Sequence, residues 1–208
     1  MITPDPIPTT EVAHMGRSDR LHAGLDSWVI LNGDLPEMAV GEEIQIRLVA
    51  LLLRILLAPE GAPPVLEHVG LSYYRFRLPL QRAATGAVIL RLPPWDAPVL
   101  VESAPDSLEG RLVEGEMELL VHAPGDPAHQ LHVVAHLDSI TRETANWRDR
   151  RREENRPVQP GRRLLTMERL FRSHGLRHVG MPVFATDVHH HDGGLSHYIL
   201  ELDIRIGG

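Results

Sequence analysis

Cysteine and lysine are both missing from the 208-residue chain. Without cysteine there are no disulfides, thiolate nucleophiles, iron–sulfur clusters or cysteine zinc sites. Without lysine there is no Schiff-base chemistry, pyridoxal-phosphate lysine, P-loop lysine or kinase lysine. Every one of the 21 basic residues is therefore arginine. Aromatics are sparse at 4%, which leaves little material for stacking nucleic-acid bases. The longest apolar stretch, Leu48 to Ala58, is interrupted by Arg54 and falls short of the ~20 residues a membrane helix needs. Residues 1–27 are polar, hold Pro4, Pro6 and Pro8, and lack a signal-type apolar region. A cytoplasmic protein with no membrane contact is expected.

What is present points to a core. Apolar residues make up 43% of the chain, ordinary for a globular protein. Residues 1–25 show no sustained periodicity and are expected as a flexible arm, leaving 26–208 as one β-rich domain. "SWVIL" before Asn32-Gly33 suggests a strand ending in a tight hairpin turn. Ile44, Ile46 and Leu48 alternate with Gln45 and Arg47 and lead into the apolar run, predicting a strand with a helix as the competing reading. Alternation or short apolar runs recur at 73–80, 86–92, 97–103, 110–122, 129–138, 176–188 and 195–206. Gly115 within 110–122 marks a bulge or a turn. Residues 139–156 read instead as a polar helix capped by Asp138 or Ser139, and Leu164, Met167 and Phe171 as a second, amphipathic one ending at Gly175. The fold expected is mainly β, an antiparallel sandwich or barrel, with a helical, arginine-rich insertion at 139–175 before the last two strands.

Two groups of side chains carry chemical possibilities. His132, His136 and Asp138 recur at even spacing and share one strand face, as do His189 and His191. Together they would suit a divalent transition metal that accepts imidazole. His136-Leu137-Asp138, followed by His189 and then Arg205, resembles the pattern of iron- and 2-oxoglutarate-dependent dioxygenases. That resemblance implies an Fe(II) held by His136, Asp138 and His189, with Arg205 binding the oxoacid. Arg205 nevertheless shares its face with Glu201 and Asp203, an arrangement that suits open water.

The second group is basic. Arg148, Arg150, Arg151, Arg152, Arg156, Arg162 and Arg163 lie in a segment, 142–172, with ten arginines against five acids, inside a chain of net charge −7. They suit a solvated, self-compensating helix, or else an acidic protein surface; interspersed Glu143, Asp149, Glu153 and Glu154 disfavour nucleic acid. No nucleophile elbow or phosphate loop is present, and Glu114, Glu116 and Glu118 read as a solvated strand face. The leading expectation is a non-enzymatic interaction domain that binds a protein partner or a copy of itself. A histidine-ligated metalloprotein is the alternative. The run His189–His191 beside Asp187 and Asp192 is also expected to respond to mild acid.

Overall fold

A computed structural model describes residues 20–102, 104–124, 131–143, 180–186 and 197–205. The molecule is organised around a long antiparallel ribbon of β2 (Glu43–Leu57) and β8 (Leu112–His122). Their register runs from Arg47 opposite His122 to Leu57 opposite Val113, with a bulge between Leu52 and Arg54. The alternation of Ile44, Ile46 and Leu48 thus resolves as strand, because Ile46 and Leu48 turn into the core on one face. Gly115 is opposite Ile55, and a methyl group there would overlap the Arg54 carbonyl oxygen. Only a residue without Cβ lets the bulged strand pass so close.

Each edge of this ribbon carries two strands end to end. On β2, β9 (His132–Glu143) pairs antiparallel with Glu43 to Arg47, and β7 (Ala97–Val101) pairs parallel with Leu48 to Ala50. On β8, β4 (Tyr73–Pro79) pairs antiparallel, while β1 (Leu21–Asp26) makes one parallel bridge, Gly24 to Leu120. β11 (His197–Arg205) lies antiparallel between β1 and β9. The pairing path β2–β8–β1–β11–β9 consequently returns to β2. Outlying strands extend it: β3 (Val65–Gly70) on β4, β6 (Val88–Leu92) and β5 (Gln81–Arg82) beyond β7, and β10 (Gly180–Val183) on β9. The inward faces form one core, in which Leu21, Leu25, Ile46, Leu48, Met117, Ala135, Leu137, Leu200 and Leu202 are buried.

The mainly β expectation holds; the sheet is mixed rather than purely antiparallel. Three local readings change. Residues 21–25, expected in the arm, lie in β1, which pairs with β11 along its whole length and turns Leu21, Ala23 and Leu25, all fully buried, into the core. "SWVIL" is a short helix, α1 (Ser27–Leu31), that buries Val29 and Ile30. Gly33 does take positive φ, at 78°, but as the residue following the helix C-cap Asn32, donating to the Ile30 carbonyl. No hairpin forms there.

Residues 139–143, expected to open a polar helix, are strand instead, because β9 runs to Glu143 against β10 and β11. Asp138 is skipped in the β11 register, where Glu201 faces Ser139 and Leu202 faces Leu137. That extra residue lets both Leu137 and Ile140 reach the core, which alternation alone forbids. Residues 144–175 of the proposed insertion lie outside the described residues. Among the described residues no helix is long and apolar enough to cross a membrane.

Candidate functional site

His132, His136 and Asp138 do share the outer face of β9, since Val133, Ala135 and Leu137 between them point inward. Asp138 is already engaged. Its Oδ2 lies 2.6 Å from Arg20 Nε, and the same guanidinium reaches Asp203 at 3.3 Å. His136 Nε2 is 3.7 Å from the other carboxylate oxygen. Arg205 donates to Glu43 Oε2 at 3.0 Å on an exposed surface. The aspartate and the arginine of the dioxygenase-like pattern therefore each hold a protein partner. Among the described residues no group of three or more metal-ligating side chains converges. His189 and His191 lie outside the described residues, as do Arg148, Arg150, Arg151, Arg152, Arg156, Arg162 and Arg163.

Other histidines come together where sequence spacing gave no sign. His22 on β1 stacks on His68 of β3, with ring centroids 4.4 Å apart and planes 10° from parallel. The Tyr74 hydroxyl accepts from the His22 backbone N–H at 2.8 Å and donates to its carbonyl at 3.1 Å. The His68 Nε2–H donates to the Leu71 carbonyl at 2.8 Å. Burial, then the neighbouring His68, lowers the His22 pKa to about 4, against the pull of Glu201. Burial lowers His68 too, opposed by the Leu71 hydrogen bond and Glu201. Glu201 itself accepts from Ser139 Oγ at 2.8 Å. The stack, with His22 half-buried and His68 at the surface, is a contact between β1 and the β3–β4 hairpin.

A second pair fastens the opposite end of β1. The buried His197 ring meets Asp26 through Nδ1 at 2.8 Å and lies over Gly24, where a Cβ would come within 2.9 Å of it. Its Nε2 has no hydrogen-bond partner among the described residues.

The surface that remains open lies at the far end of the ribbon. Beyond Ala50 no described strand pairs with the second edge of β2, so among the described residues 51–57 form a bare strand edge. Leu51, Leu56 and Leu57 on this segment are exposed, at 45% or more, and Val65 nearby at 39%. On the outer face a cleft of about 300 Å³ opens among Arg54, Leu56, Val65, Arg75, Arg77 and the strand β8.

Its charges are arranged in cross-strand rows. One row reads Arg54, Glu116, Arg75, Glu67, and the next Leu56, Glu114, Arg77, Val65. Arg75 lies 3.0 Å from Glu67 and 3.6 Å from Glu116, and Arg77 lies 2.9 Å from Glu114. Glu118, almost fully buried, accepts from Ser72 Oγ at 3.3 Å. The acids of β8 are thus held by the β3–β4 hairpin rather than bathed in solvent. A sequence signal for this existed: arginines two apart at 75 and 77 match glutamates two apart at 114 and 116. Compared with known families, curated proteins and solved structures, the chain matches none.

Proposed function

We propose that this chain is a non-enzymatic interaction domain whose docking surface is the bare edge of β2 from Leu51 to Leu57. The observation that carries this reading is the coincidence of an open strand edge with exposed leucines. Isolated edges are normally blunted by charge, proline or a covering segment. Here a single charge, Arg54, interrupts the apolar run. Extended segments of another chain add to such edges through main-chain hydrogen bonds, while alternate side chains give selectivity. Four of the seven large apolar side chains exposed among the described residues, Leu51, Leu56, Leu57 and Val65, gather at this one end. The partner is a protein segment or a second copy of the chain. The closed pairing path supports reading the scaffold as a barrel, a rigid support for the β2 edge.

A photoreactive residue at position 56, compared with one at the exposed position 91 on β6, tests this in extract from the source cells. Adducts of defined mass are expected from position 56 and not from 91, and their mass separates a partner from a second copy. Equal labelling from both positions, or none from 56, removes the reading.

A further inference from the structure

Resting on that reading of the β2 edge, we infer that the docked segment is an extended strand carrying a carboxylate side chain opposite Arg54, with an aliphatic residue two positions away over Leu56. The cleft beside this edge is lined by three arginines and two glutamates. Arg77 holds Glu114, and Arg75 holds both Glu116 and Glu67. Arg54 is the lining guanidinium with no ion pair to any described carboxylate, although it is the first member of the row Arg54, Glu116, Arg75, Glu67. That row alternates in sign from its other end and stops on a positive charge at the bare edge. A strand added there contributes the next member, whose side chain stands ~5 Å away in the directly opposed position. Continuing the alternation requires an acid.

The neighbouring row specifies the rest. It ends at the same edge on Leu56, which is exposed at 45%. Side chains on one face of a strand recur every second residue, so a residue two positions from the acid covers Leu56. The cleft gives the carboxylate a partly walled setting, where a bidentate arginine contact is stronger and more directional than on open surface.

A second copy of this chain fits less well. Antiparallel self-pairing centred on Arg54 sets two guanidiniums opposite one another, which destabilises a sheet. Moving the register by one residue sets each Arg54 against Leu53 of the other copy and leaves the charge unmet. A foreign, acid-bearing segment satisfies both rows.

The test is selection of random nine-residue peptides displayed against the full chain, with parallel selections on R54E and on the double variant L51S/L56S. Both sets of substitutions fall on exposed positions, and circular dichroism checks that the sheet is retained. Peptides enriched on the unaltered chain are expected to hold Asp or Glu with Ile, Leu or Val two residues away. A synthetic peptide of that kind is expected to bind R54E roughly tenfold more weakly, as for loss of one charged hydrogen-bonded contact. Exchanging its acid for lysine is expected to restore binding to R54E. Enriched peptides without an acid, or indifferent to R54E, overturn the inference, and the docking edge survives if L51S/L56S still abolishes their binding. Peptides that bind all three forms alike, or no enrichment at all, overturn the inference and also count against the edge.

Discussion

Gly115 shows how much one missing side chain permits. The β2 bulge brings the Arg54 carbonyl to the space a Cβ would occupy, so backbone rather than a yielding side chain stands in the way. Gly115→Ala is expected to destabilise the fold by about 1–3 kcal/mol in urea unfolding, the usual range for overpacking. A neutral result would mean the bulge relaxes freely. His22 and His68 make a different kind of residue-scale statement. Both are held below the ordinary imidazole value by burial, so the folded state binds fewer protons than the unfolded one in mild acid. Stability is therefore complete above the unfolded value of 6.5 and declines as pH falls toward about 4, the range set by His22. Urea midpoints measured across that range are expected to fall, and His22→Phe, which keeps a ring on His68, to flatten the decline. An unchanged slope in the variant would place the acid sensitivity elsewhere.

Strands contribute unequally, and burial decides how much. Leu202 on β11 is fully buried against the core, so Leu202→Ala is expected to cost about 2–5 kcal/mol. Arg75→Ala on β4 removes two ion pairs of an exposed guanidinium and is expected to cost under about 1 kcal/mol. Comparable losses for the two would show that the charge rows, not the core, hold the ribbon. The same contrast explains which elements were legible in the sequence. β2, β4 and β11 announce themselves because large apolar residues alternate with polar ones over much of their length, or run on from such a stretch. β1 does not, since Ala23 and Gly24 carry little hydrophobic signal and make sense only beneath β11 and the His197 ring. α1 was hidden for another reason: five residues are too few to separate one helical turn from a short strand. The shared face of His132, His136 and Asp138 was readable because period two is a local property. That Asp138 belongs to Arg20, and Arg205 to Glu43, depends on pairings between remote strands and leaves no trace in local spacing.

At the scale of the whole molecule, the circuit through β2, β8, β1, β11 and β9 ties five strands into one unit. Losing any member exposes two sheet edges at once, so the five are expected to open together. Native-state hydrogen exchange should give their slowest amides a common denaturant dependence, with β5 and β6, outside the circuit, exchanging through smaller openings. A β11 that opens independently of β8 would contradict this.

The antiparallel pairing of Leu21 with Leu202 has a consequence for how the protein is made. Of the five strands in the circuit a ribosome delivers β1 first and β11 last, and until β11 emerges the edges of β1 and β9 that face it are unpaired. From the emergence of β1 to that of β11 the nascent sheet is therefore an unfinished ring with adhesive rims. Such long-range closure folds slowly, so both rims stay open to stray pairing until β11 arrives.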